Sequence, residues 1–199
     1  MFEITSKIDE APYQNFYKFY SQALDKGQVN PEAIAISSYD SLSDEVDSRF
    51  VNLKYITNNQ WIFFSNLDSP KAMQFKSHAQ VAVLIYWPSV NLQIRMKAKI
   101  REIDSILSDQ HFASRSIEKN TLAIISNQSN EIASYDELVQ KYTDRLNSNN
   151  KINTRPSYWG GFSFEPYYFE FWTGQKFRLN KRESFQLESN KWRKEILQP

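Results

Sequence analysis

Apolar residues change their spacing several times along this chain, and each change marks an element. Over residues 11–25, Tyr13, Phe16, Tyr17, Tyr20 and Leu24 recur every three or four positions. That places one apolar stripe on a helix, and Gly27 supplies its stop. Ala33–Ser38 is then a short apolar run, and Phe50, Val51, Leu53, Tyr55 and Ile56 form a second. Thr57-Asn58-Asn59-Gln60 reads as a turn that returns the chain as a strand over Trp61–Ser65. Val81–Trp87 is almost wholly apolar, which predicts a strand buried on both faces. Leu92, Ile94, Met96, Ala98 and Ile100 alternate with Gln93, Arg95, Lys97, Lys99 and Arg101, which predicts one apolar and one basic face.

Helical signals interrupt the strands. Ser69 before Pro70 and Lys71 places an N-cap residue ahead of a proline in the first turn, opening a helix to Ser77. A further helix is predicted from Asp104 to Ser114. Ser134-Tyr-Asp-Glu137 is a capping-box pattern that starts a helix to Leu146. The polar run from Asn147 to Lys151 reads as a loop. Strands return at Gly161–Trp172, Phe177–Leu179, Ser184–Leu187 and Trp192–Ile196. Residues 1–10 read as an N-terminal tail, and 199 residues suit one domain, at about 150 residues per domain. Short hairpin-linked strands with helices between them predict an α+β fold built on an antiparallel barrel.

Composition narrows the chemistry. Cys is absent and His numbers 2, so disulfides, thiolate zinc sites, iron–sulfur clusters, Cys nucleophiles and multi-histidine metal sites are excluded. The glycines are Gly27, Gly160, Gly161 and Gly174, and neither a dinucleotide nor a P-loop fingerprint can be written from them. A net charge of +1 is too balanced for a generic nucleic-acid coat. No apolar run is long enough to span a membrane, and Met1–Lys7 has no signal core, so the expected location is cytoplasmic.

Three features are candidates for binding. A helix start with Lys71 suits an anion, although an ordinary capped helix looks the same. In Arg49-Phe-Val-Asn-Leu-Lys54, Arg49, Val51 and Leu53 share one strand face and Asn52 and Lys54 the other. These are equally readable as solvated strand-end charges. Trp172, Arg178 and Arg182 suit a flat anionic ligand, or form only a surface cation–π cluster. No nucleophilic triad can be framed around His78 or His111, so an enzyme of this composition would borrow its chemistry from a cofactor.

These segments resemble the pyridoxamine 5′-phosphate oxidase family of FMN-dependent enzymes. The likeness runs from Ala11 to Pro199. It rests on Arg49–Lys54, Phe63–Ala72, Asn127-Gln-Ser129, Ser157–Phe162 and Phe169–Gly174, followed by Arg178 and Arg182. The resemblance implies a split β-barrel homodimer with FMN in the cleft between subunits. It implies FMN contacts from Arg49, Phe50, Val51, Asn52, Leu53, Lys54, Phe64, Ser65, Lys71, Gln93, Gln128, Ser129, Trp172 and Arg182. It implies a substrate pocket of Lys54, His111, Arg115, Lys119, Arg178 and Asn180, with Arg178 as the catalytic residue and no metal. The implied reaction oxidises pyridoxine or pyridoxamine 5′-phosphate to pyridoxal 5′-phosphate, with oxygen as acceptor and hydrogen peroxide as product.

The chain departs from the family pattern at several places. His111 stands where the family has Tyr, Lys119 where it has Ser, Asn180 where it has His, and Pro70 where it has a basic residue. The segment before the first helix is also short. Two alternatives therefore stay open. One is an FMN enzyme with another substrate, as in phenazine-pathway flavoenzymes. The other is a non-catalytic barrel that binds flavin or pyridoxal phosphate.

Overall fold

The computed structural model describes residues 1–148 and 154–199. Helix α1 (Ala11–Asp25) buries Tyr13, Phe16, Tyr17 and Tyr20, so the aromatic stripe is the face that packs. Nine strands follow or precede it: β1 (Glu3–Ser6), β2 (Ala33–Asp40), β3 (Glu45–Thr57), β4 (Gln60–Asn66), β5 (Gln80–Trp87), β6 (Leu92–Glu102), β7 (Trp159–Thr173), β8 (Lys181–Glu188) and β9 (Lys191–Leu197). Four more helices lie between them: α2 (Pro70–Ser77), α3 (Ser105–Ser114), α4 (Ile117–Ile125) and α5 (Tyr135–Asn147). The fold is mixed α+β.

Strand pairing closes on itself. β3 pairs with β2, β2 with β5, β5 with β6, β6 with β7, β7 with β4, and β4 with β3 again, all antiparallel. Closure pairs most of the edges of these six strands and leaves Tyr55–Thr57 of β3, beyond its pairing with β2, for β1. β7 changes partner along its length: Trp159–Phe164 pairs with β4, and Tyr168–Thr173 pairs with β8. β8 and β9 thus leave the ring as a hairpin.

The ring encloses an aromatic core. Trp61, Phe63, Phe164 and Phe169 are fully buried. α1 packs onto them, with Phe16 meeting Trp61 edge-on at 4.5 Å and Tyr13 meeting Phe169 at 5.2 Å. Each buried aromatic contributes roughly 2–3 kcal/mol through apolar area removed from water.

Four expectations need correction. Residues 3–6 are not tail: β1 pairs in parallel with β3, and Phe2 stacks on Tyr20 at 4.4 Å. β5 is buried on one face only, because just its inward side is covered, and Leu84 and Tyr86 on the other side are exposed. Phe177–Leu179 is no strand: Lys176–Arg178 forms a 3₁₀ turn, with Phe177 and Arg178 at φ 58° and 62°. Asn147 ends α5 and Ser148 caps it, so neither is the loop expected there, and residues 149–151 lie outside the described residues. α4 has no counterpart among the elements expected from sequence.

Half of the capping-box pattern forms, with Ser134 Oγ accepting from the Glu137 N–H at 3.1 Å, while the Glu137 carboxylate pairs with Lys141. Ser69 does not cap α2 in that way; its hydroxyl donates to the Asn66 carbonyl instead. Among the described residues, no helix is long and apolar enough to cross a membrane.

Because Phe2 is 6% exposed and seated against α1, Phe2→Ala is expected to cost about 3 kcal/mol, read from the urea midpoint. An unchanged midpoint would mean that β1 adds nothing to the fold.

Candidate functional site

β3 builds one wall of the site. Val51 and Leu53 point into the core, so the strand's period of two turns Phe50, Asn52 and Lys54 outward. β4 adds Phe64 and Ser65. Phe64 lies opposite Gly161 on β7, where a Cβ would come within 2.9 Å of the Phe64 ring. Glycine at that position gives the ring its room. α2 then brings Lys71 to the cavity wall, with its ammonium 3.2 Å from Ser69 Oγ.

α3 and α4 form the opposite wall. Asn120 ties them by donating to the Phe112 carbonyl at 2.9 Å. Arg115, between the two helices, donates to the Lys119 carbonyl at 3.0 Å and lies over the Trp159 ring at 4.6 Å. Tyr158 donates to the Ile124 carbonyl at 2.9 Å and so anchors the end of α4 to the start of β7. Gln128 accepts from the Asn66 N–H at 3.3 Å.

Together these residues surround a cavity of about 770 Å³. Its described lining holds Lys54, Lys71, Arg115 and Lys119, and no carboxylate. Lys54, Lys71 and Arg115 are half-buried, and burial is the first cause of their shifts. Burial, then nearby Arg49, lowers Lys71 to about 8. Burial lowers Lys54 too, with Lys119 and Arg115 adding to the effect and Glu32 opposing it. Burial, then Arg115, Lys54 and Lys119, lowers His111 to about 4, so its imidazole is neutral at pH 7. Two polar atoms on the wall, Ser65 Oγ and Arg115 Nη1, are buried without a hydrogen-bond partner. A site with surplus cations and unfilled donors is built for an anion with several acceptor oxygens.

The structure brings most of the expected residues to this cavity: Phe50, Val51, Asn52, Lys54, Phe64, Ser65, Lys71, His111, Arg115, Lys119 and Gln128 line it. Others lie off it. Arg49 is beside it, donating to Ser38, Asp47 and Gln74. The Leu53 side chain is wholly in the core, leaving only its backbone for a ligand. Ser129 follows Gln128 with φ at 71° and does not reach the lining.

Gln93, Trp172 and Arg182 form a separate row across three strands, paired Gln93 to Trp172 and Trp172 to Arg182. Arg182 is held there by Glu170, which is 2% exposed and also takes Arg95 and the Tyr168 hydroxyl. Arg178 is exposed on the 3₁₀ turn, and Asn180 closes that turn by accepting from the Gln175 N–H at 3.0 Å.

Sequence reasoning missed Asn66, Ser116, Leu122 and Ser126 on the lining, and Tyr55 bonded to His111. The α4 residues carried a usable signal in Ser116 ahead of an apolar run. Tyr55 carried none, since its partner lies 56 positions away.

A relative from Hydrogenovibrio crunogenus, named pyridoxine/pyridoxamine 5′-phosphate oxidase 1, is 34% identical over 88% of this chain and 81% of its own. The chain belongs to the pyridoxine/pyridoxamine 5′-phosphate oxidase family. A second member, from Cytophaga hutchinsonii, is 32% identical over 94% of this chain and 87% of its own. Residues 159–199 match the family's C-terminal region, described as the pyridoxine 5′-phosphate oxidase C-terminal dimerisation region. Among solved structures, PhzG from Burkholderia lata 383 superposes with a TM-score of 0.89 at 23% identity, covering 96% of this chain and 93% of that one. A Nostoc punctiforme protein titled pyridoxamine 5′-phosphate oxidase-related and FMN binding superposes at 0.79 with 12% identity, covering 96% of this chain and 100% of that one. These two likenesses establish the oxidase family's fold for the chain.

Because Lys71 loses its proton near pH 8, anion affinity is expected to fall as pH rises through that value. Sulfate stays a dianion throughout, so its affinity is the clean readout. It is expected to weaken about tenfold from pH 7 to pH 9, and less in Lys71→Arg, which keeps its charge. A flat profile in the unsubstituted protein would place Lys71 outside the anion site.

Proposed function

We propose that this chain is an FMN-dependent oxidase that converts pyridoxine or pyridoxamine 5′-phosphate to pyridoxal 5′-phosphate, using oxygen and releasing hydrogen peroxide. The observation that carries this reading is that the described lining of the cavity holds no carboxylate, while four cations stand around buried, unfilled donors. Two phosphates, one from the cofactor and one from the substrate, call for such an excess of positive charge.

Lys71, Ser65 and Gln128 line the side nearest α2 and would hold the FMN phosphate, with Arg49 behind them. Pro70 contributes no charge there, so Lys71 is the cation that α2 itself brings. Backbone groups of Phe50–Leu53 would meet the flavin ring. Lys54, His111, Arg115 and Lys119 gather on the α3–α4 side and would hold the substrate phosphate. When bound, FMN supplies the redox chemistry by accepting a hydride from the substrate carbon and passing the electrons to oxygen. The chain's own work is to fix the phosphate ends so that the reacting carbon lies over the ring.

Gln93, Trp172 and Arg182 lie off this cavity, and we assign them to the cavity of a second copy in a split-barrel homodimer. The dimerisation region matched over residues 159–199 supports that assignment. Glu170 would preset Arg182 for the task by holding its guanidinium at 2.9 Å. Arg178, exposed in the single chain, would then cover substrate in the partner's site.

A second reading keeps FMN and changes the substrate. His111 and Lys119 favour it, because both sit in the cavity wall and alter the donor set that meets the substrate anion.

An anaerobic titration decides between them. The FMN-loaded protein is mixed with pyridoxine 5′-phosphate and the visible flavin band is followed. Bleaching with pyridoxal phosphate appearing is the expected result. A flavin that stays oxidised would overturn the oxidase and favour the second reading or a binding protein. Arg178→Ala is expected to cripple substrate oxidation while FMN stays bound. Lys71→Ala is expected to weaken FMN about tenfold to a hundredfold, measured by fluorescence quenching.

A further inference from the structure

Tyr55 on β3 and His111 on α3 are joined across the cavity wall. The Tyr55 hydroxyl lies 2.8 Å from His111 Nδ1. Phe64 covers the imidazole face at 4.0 Å, nearly parallel at 9°. Tyr55 meets the ring edge-on at 5.4 Å and 86°. A hydrogen bond at one nitrogen and an aromatic ring on the face leave the imidazole one orientation.

The groups packed around it set its protonation. Tyr55 and Lys54 face it from β3, Phe64 from β4, Trp159 from β7, Arg115 from the end of α3 and Lys119 from α4. The charged ones are all cations, so the imidazole stays neutral and carries one proton. Burial, then Glu3, raises Tyr55, so its hydroxyl keeps its hydrogen. A phenol is a far stronger acid than a neutral imidazole N–H, so the phenol donates and Nδ1 accepts. The imidazole proton then belongs on Nε2, which has no partner among the described residues.

We infer that Tyr55 is a positioning residue: it locks His111 in the Nε2–H tautomer, so that the cavity presents a neutral, directional donor beside three cations to an anionic oxygen of the ligand. The inference rests on the cavity taking a phosphate ester and adds how one of its donors is aimed. A fourth cation would only add charge, whereas a neutral N–H selects an oxygen in one direction.

Nitrogen NMR of the FMN-loaded protein with labelled histidine tests this directly, since His78 supplies the only other signal. The expected His111 spectrum is the Nε2–H tautomer, without titration between pH 8 and pH 5.5. Tyr55→Phe is expected to give mixed tautomers and to weaken sulfate binding about threefold to tenfold. His111→Gln, which keeps an N–H donor, is expected to retain more sulfate affinity than His111→Leu. An Nδ1–H tautomer or a charged imidazole at pH 7 in the unsubstituted protein would overturn the inference, whether or not Tyr55→Phe folds. So would unchanged tautomer and sulfate affinity in Tyr55→Phe. If these arms hold while pyridoxine 5′-phosphate fails to bleach the flavin, the oxidase assignment falls and the role of Tyr55 stands.

Discussion

β3 must satisfy two demands with one backbone. Val51 and Leu53 are buried in the core, so the strand's period of two sends their neighbours the other way, and an irregularity between Leu53 and Tyr55 in the pairing with β4 returns Ile56 to the core. Phe50, Asn52 and Lys54 therefore become cavity wall. A shift of one residue in the pairing with β2 or β4 would exchange the two sets. It would put Lys54 into an aromatic core and Leu53 into an anion site. Register is held by hairpin closure at one end, where Asn58 takes φ 53°, and by the ring of strands at the other. Core stability and binding chemistry thus depend on the same register.

The two sites of positive charge are handled differently. At Glu170 one buried carboxylate is shared by Arg95 and Arg182, so both guanidinium groups have a partner and are held in place. In the cavity no carboxylate is present in the described lining, and burial, then neighbouring cations, lowers Lys71 and Lys54. The protein supports that strain through packing elsewhere. An anion entering the cavity restores solvation lost on folding, and its binding free energy adds to the stability of the fold. The ligand is in this sense part of the charge balance of the structure.

Much was legible from residue spacing. The aromatic stripe of α1, the proline start of α2, the capping box of α5 and the alternation of β6 each follow from a short-range rule. All four elements are present. The elements that were missed depend on partners far along the chain. β1 is a strand because β3 offers it an edge, and Phe2 has a place beside Tyr20. The segment around Phe177 looks like a strand by composition, but the chain must reverse there between β7 and β8.

The sequence by itself determined which residues are apolar at which period, and therefore most helices, most strands and the inward face of each. It also determined the surplus of basic residues in the segments that match the family. Only the tertiary structure decided which of those basic residues share a cavity and which are neutralised. Lys71 and Lys119 are 48 positions apart, and nothing local relates them; strand closure and the α3–α4 pair bring them to one cavity. Arg182 is a cation too, yet pairing to β7 sets it against Glu170. Local spacing follows from the geometry of a single helix or strand, whereas charge pairing follows from which strands meet.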